Sequence, residues 1–178
     1  MTKKQISKPI HHKFDQPIKC PLTYRQRVEF EYASHFIPYL KILEKMIGRD
    51  KVIESLQELA YQETKGIAEE IVKAKGKNDL SFFKEIYDPA NPENQDLLDI
   101  LTWEVGRSTE DVFEVNVTEC LLAEVFLKAG VGDYGYAAVC SDVLFTKLVN
   151  PQIVLDLEGT MMQGKPCCMH RFYVKPKN

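Results

Sequence analysis

Residues 111–130 read DVFEVNVTECLLAEVFLKAG, and two periodicities meet inside them. Val112, Glu114, Asn116 and Thr118 alternate with Phe113, Val115 and Val117, the period of two that marks a half-exposed strand. From Glu119 onward, ECLLAEVFLKAG reads as a helix of about three turns with Gly130 at its end. This junction divides the chain. On its C-terminal side, GDYGYAAVCSDVLFTKLVN reads as another helix, stopped by Asn150-Pro151. QIVLDLEGTMMQG and PCCMHRFYV then alternate again and read as a terminal hairpin joined at Gly164-Lys165, with Val154, Asp156, Glu158 and Thr160 on one face.

The N-terminal side reads as helical. Residues 21–48 carry a stripe of Phe30, Ala33, Phe36, Ile37, Leu40, Ile42, Leu43, Met46 and Ile47, with Thr23 as N-cap, Pro38 as a kink and Gly48 as the stop. A second helix starts at Asp50 as its cap, runs through Val52, Ile53, Leu56, Leu59, Ala60, Ile67, Ile71 and Val72, and closes at Gly76. Residues 78–111 read as two shorter helices around the breaker DPANPEN, the second ending near Val105. The expected fold is therefore α+β: N-terminal helices packed on a small, mostly antiparallel sheet, with two further helices between strands. Residues 1–22 read as an arm, and residues 23–178 as a single domain with a helical half, 23–106, and a second half, 110–174, that carries the chemistry. The arm's His11 and His12 are neighbours in an extended segment and point apart; docking of the arm on a partner subunit in a homo-oligomer is one reading of it.

The totals bound the function. The chain has 178 residues, 44 % of them hydrophobic, enough for a core. A net charge of -3 gives no basic surface for nucleic acid. No apolar run reaches the length of a membrane span, and the N-terminus lacks the apolar region of a secretory signal, so a cytoplasmic location is expected. There are five cysteines, an odd number, with no CxxC spacing. That argues against both a disulfide framework and a zinc ribbon. Phosphate-loop, GxSxG, HExxH and EF-hand patterns are absent from the sequence.

What remains is a set of thiols and carboxylates that only folding could gather. Cys120 lies where strand gives way to helix, and first-turn N–H groups there favour a thiolate; the alternative is a thiol packed behind Leu121 and Leu122. Cys140 and Asp142 would point apart by about 200° on an unbroken helix. They can share a pocket only if the helix starts or bends near them, which Gly132 and Gly135 permit. Asp142 stands in an apolar run and reads either as a general acid/base or as a surface partner of Lys147. On the closing strand, alternation puts Cys168, His170 and Phe172 on one face and Cys167, Met169, Arg171 and Tyr173 on the other. Cys168 and His170 could form a nucleophile–base pair, or His170 could be a core histidine bonded to a carbonyl.

The series ECLLAEVF…CSD…NP…EGTMMQGKPCCMHRFY resembles the L-2-amino-thiazoline-4-carboxylic acid hydrolase family. The residues that carry the resemblance are Cys120 and Ala123, Cys140 and Asp142, Asn150-Pro151, Thr160 and Gly164, then Cys168, Arg171 and Phe172, over about residues 112 to 174. The resemblance implies hydrolytic opening of a small cyclic amidine, a thiazoline carboxylic acid, to an N-carbamoyl cysteine. It implies Cys120, Cys140, Asp142 and Cys168 as catalytic residues, with Cys120 or Cys168 the nucleophile and Asp142 the acid/base. Thr160, His170 and Arg171 would bind substrate, Arg171 holding the carboxylate by bidentate pairing. By alternation, however, Arg171 points away from Cys168. No cofactor is expected, unless Cys120, Cys140 and Cys168 converge with Asp142 or His170 on a zinc or other soft metal. The competing readings are a non-catalytic small-ligand or metal-sensing module and a scaffold in which the cysteines only pack.

Overall fold

A computed structural model describes residues 21–176. The arm, with His11, His12 and Cys20, lies almost wholly outside them. Helix α1, Tyr24–Glu31, starts at a capping box: the Gln26 amide donates to Thr23 Oγ1 at 3.2 Å and the Thr23 amide to Gln26 Oε1 at 2.9 Å. Ahead of Pro38 the chain widens into a π turn, Tyr32–Phe36, and then continues as α2, Ile37–Ile47, with Pro38 in its first turn. The missing proline N–H is harmless there. A π turn inserts a residue into the helical register. Phe30 therefore falls off the face on which Ile37 and Leu40 are buried, and Phe30, Ile42, Met46 and Ile47 are exposed.

Gly48, at φ +87°, ends α2, and α3 runs over Arg49–Lys75. Asp50 lies in the first turn of α3 instead of capping it. The buried line of α3 is Val52, Leu56, Ala60, Thr64 and Ala68, one residue in four, while Leu59 and Ile67 are exposed. Helix α4, Leu80–Ile86, is capped by Asp79, whose Oδ1 accepts the Ser81 amide at 2.9 Å. A 3-10 turn, Pro92–Asn94, and the short α5, Gln95–Leu98, complete the helical part.

The expected helix ending near Val105 is a strand instead. β1, Leu101–Ser108, pairs antiparallel with β2, Val112–Cys120, so the helical half stops short of residue 106. LTWEV is rich in the branched and aromatic residues that fit a pleated surface. The Trp103 indole N–H, bonded to the Tyr87 carbonyl at 2.9 Å, ties the strand to the end of α4. After β2 come α6, Leu121–Lys128, α7, Gly132–Val139, and α8, Asp142–Val149. There are thus three helices between strands among the described residues, not two, because the expected long helix breaks at Cys140 and Ser141. β3, Ile153–Leu157, and β4, Cys168–Val174, close the sheet in the order β1-β2-β4-β3, antiparallel throughout. Their connection is longer than the expected tight hairpin. Thr160 has left the strand face, is 3 % exposed, and caps a 3-10 turn, Met161–Gln163, reciprocally with Gln163.

The helices cover one face of the sheet, and two apolar clusters result. One gathers Ile37, Leu40, Val52, Leu56, Phe126 and Tyr134 among the helices. The other joins Phe82, Phe83 and Tyr87 to Phe113, Val115 and Phe172 on the sheet, with Phe83 stacked on Phe172 at 4.9 Å. Cys120 and Cys140 pack on the first cluster and Cys168 on the second, so the thiols lie along the seam between them. No helix among the described residues is long and apolar enough to cross a membrane.

The helical cluster is packed tightly where α7 meets α6 and the 3-10 turn. A Cβ on Gly135 of α7 would sit 2.5 Å from Met162 Sδ and 2.6 Å from Phe126 Cγ. Gly66, inside α3, has nothing within 4 Å of its Cβ position. Gly135→Ala is expected to cost about 1–3 kcal/mol by overpacking, and Gly66→Ala to stabilise by up to about 1 kcal/mol through helix propensity. Thermal unfolding followed by circular dichroism should show melting temperatures moving in opposite directions.

Candidate active site

Cys120, Cys140, Asp142 and Cys168 each stand at an end of a regular element. Cys120 ends β2 and serves as the N-cap of α6, where its Sγ accepts the Ala123 amide at 3.4 Å. Cys140, at φ -94° and ψ 69°, ends α7, and the chain restarts as a helix at Asp142. That break, which contains neither glycine nor proline, turns two positions that would diverge on one helix toward a common space. Within α8 the Thr146 hydroxyl donates to the Asp142 carbonyl at 2.7 Å and steadies the first turn. Cys168 opens β4, and its Sγ accepts the Met161 amide of the 3-10 turn at 3.2 Å. Thr160 and Cys140 are also neighbours, and the Thr160 hydroxyl favours the Cys140 thiolate.

Cys120, Cys140, Cys168 and Asp142 are close enough for their charges to act on one another. Burial pushes all three thiols above the usual cysteine range, and the negative charge of Asp142 pushes further. Cys140 is driven hardest, up to about 12, by burial first and then by Asp142, Cys120 and Cys168. The backbone N–H groups at Cys120 and Cys168 oppose the shift without reversing it. These thiols are therefore protonated at neutral pH. Of the two readings of Cys120, the packed thiol fits and the favoured thiolate does not, because desolvation outweighs two amide dipoles.

His170 is 5 % exposed on the inner face of β4, opposite Val115 and Leu157. Its ring stacks on Phe172 at 6.2 Å and lies 6.0 Å from the Tyr87 ring. Both ring nitrogens are buried without a hydrogen-bond partner among the described residues. Nε2 stands 3.9 Å from Asp142 Oδ2, too long for a hydrogen bond and short enough for a small movement to make one. An unpartnered buried imidazole destabilises a fold, and here it faces a carboxylate that is 42 % exposed. Tyr87 was not among the sequence-derived candidates. It sits where α4 ends, and burial, then the charges of Asp142 and Cys168, hold its hydroxyl well above the ordinary phenol range. No local pattern marks it.

Arg171 is not part of this group. It lies on the outer face of the sheet, opposite Glu114 and Asp156, with Nε 3.4 Å from Glu114 Oε1. Two other cations, Arg25 and Lys165, share a cleft with Cys120. The cleft, of about 390 Å³ and within the range of small-molecule sites, is lined by Cys120 and Met161 with Thr102, Thr118, Arg25 and Lys165. Among the described residues no group of three or more His, Cys, Asp and Glu side chains is arranged to hold a metal ion.

In comparisons with known proteins, the family model described as L-2-amino-thiazoline-4-carboxylic acid hydrolase matches residues 26–172. That span takes in nearly all of the helical part, together with Cys120, Cys140, Asp142, Thr160, Cys168 and His170. None of the curated proteins matches the chain.

Cys140 supplies a test. A thiol moved from 9.0 to about 12 keeps its proton in the folded state while the unfolded chain would lose it. The stability this contributes is fully present below pH 9.0 and falls as pH rises toward about 12. The melting temperature should fall above pH 9. At pH 8, iodoacetamide should label Cys140 on the order of a hundredfold or more slower in the folded protein than in urea, as read by peptide mass spectrometry.

Proposed function

Starting from the fact that the chain belongs to the L-2-amino-thiazoline-4-carboxylic acid hydrolase family, we propose that it opens a 2-amino-thiazoline ring by hydrolysis at the seam between its two apolar clusters. The observation that carries this reading is the half-exposed Asp142 carboxylate beside the buried, unpartnered His170, walled by three protonated thiols.

The chemistry follows from that set. Ring carbon C2 of such a substrate bears the ring sulfur and two nitrogens, and in its protonated form it is an amidinium. The groups whose charges act on the thiols are all acidic, Asp142 and the cysteines themselves. A cationic ring is attracted to such a space, and Asp142 is its counter-charge. With the thiols protonated, water is the nucleophile. Asp142 takes a proton from water as the oxygen bonds to C2. It then returns that proton to the departing ring sulfur as the C2–S bond breaks. The hydroxyl proton leaves to Asp142 as the new C=O forms, giving the ureido group of an N-carbamoyl cysteine. A small movement that closes the 3.9 Å gap lets His170 hold the carboxylate through its open Nε2, and Thr160 and Cys140 shape the wall behind it.

Incubation with 2-amino-thiazoline-4-carboxylic acid should yield a product heavier by one water, identified by mass spectrometry as N-carbamoyl cysteine. Asp142→Asn should lower kcat by roughly a hundredfold or more with an unchanged circular dichroism spectrum. Because water attacks, Cys120→Ser and Cys168→Ser should each keep measurable turnover. A complete loss in either folded variant would make that thiol the nucleophile, and no product from the wild type would remove the proposal.

A further inference from the structure

We infer that the cleft beside Cys120 is an anion subsite in which the amine of Lys165 anchors the carboxylate of a small substrate; the identity of that substrate rests on the thiazoline reading above. A ring that presents its amidinium to Asp142 must place its carboxylate elsewhere, because the charge of Asp142 repels it. Cys120 is the residue shared by both spaces: it feels the charge of Asp142 and it lines the cleft.

The donors of the cleft can be sorted by what they already hold. Arg25 lies 3.6 Å from Glu124, which also pairs with Lys128. The Thr102 hydroxyl donates to Glu119 at 2.5 Å, and the Thr118 hydroxyl donates to the Thr102 carbonyl at 3.3 Å. Glu119 and Glu124, the two acids of the cleft, are thus both engaged. Lys165 makes no ion pair among the described residues. Its backbone is fixed, since its amide donates to the Thr160 carbonyl at 3.1 Å. Its carbon chain is guided as well. Gly159, at φ +133°, leaves open the space in which a Cβ would stand 3.0 Å from Lys165 Cε and 3.1 Å from Cγ. The 3-10 turn that donates the Met161 amide to Cys168 therefore also delivers a cation to the rim of the cleft. A charge-assisted bond of this kind changes affinity by roughly tenfold.

The test uses a ring that resists opening. Calorimetry on the intact protein would compare 2-aminothiazole-4-carboxylate with 2-aminothiazole, which lacks the carboxylate. The wild type should bind the acid roughly tenfold more tightly. Lys165→Gln should erase that preference while leaving 2-aminothiazole binding unchanged, and Lys165→Arg should retain it. The inference is overturned if Lys165→Gln keeps the preference, or if the wild type shows none. Turnover of the thiazoline acid is scored separately: a Lys165-dependent preference without turnover would overturn the hydrolase reading alone, and turnover without that preference would overturn this subsite alone.

Discussion

The contact of Met162 with Gly135 is the constraint on which the rest of the site depends. The side chain of Met162 occupies the volume that any larger residue at position 135 would fill, and it is packed there against Phe126. This presses the 3-10 turn onto α6 and α7. The turn in turn holds Thr160 beside Cys140, aims the Met161 amide at Cys168, and starts the segment that carries Lys165. A steric requirement with no chemistry of its own thereby sets the position of four side chains that have some.

The seam holds its acidic groups neutral around one charge. Three thiols and a phenol share a space with the Asp142 carboxylate, and burial first and then that charge favour their protonated forms, with no cation among the groups that shift them. The imidazole beside them lacks hydrogen bonds. Arrangements that penalise the empty protein and are relieved by a bound cation mark sites better than they mark cores. The outer face of the sheet shows the contrast, since Arg171 there is paired with Glu114 in an ordinary way.

Much of the fold was legible wherever two kinds of signal agreed. In residues 112–120, alternation and β propensity pointed the same way, and the strand formed with the expected inner face. The helix boundaries at Thr23, Gly48 and Gly76 were marked by capping chemistry. Residues 101–105 were missed because LTWEV follows a helical pattern without punctuation, and only its pairing with β2 reveals it. The gathering of Cys120, Cys140, Asp142 and Cys168 depended on a break at Cys140 that has no glycine or proline; the Ser141-Asp142 pair, residues suited to helix starts, was the available hint. Tyr87 and Lys165 could not have been found, since each becomes relevant only through neighbours distant in sequence. Alternation did place Arg171 on the far face, and that held.

Helix α3 has one more consequence. Its buried residues recur every fourth position, which overshoots one helical turn by about 40° at each step. From Val52 to Ala68 the buried line therefore winds through roughly 160°, so α2, α7 and α8 meet the rod on successive flanks instead of sharing one side. Its first turns are sunk in the helical cluster and Ala68 in the sheet cluster. A single stiff spindle of 27 residues, about 40 Å long, thus gauges the gap between the two halves, and with it the spacing of sulfurs borne by opposite banks.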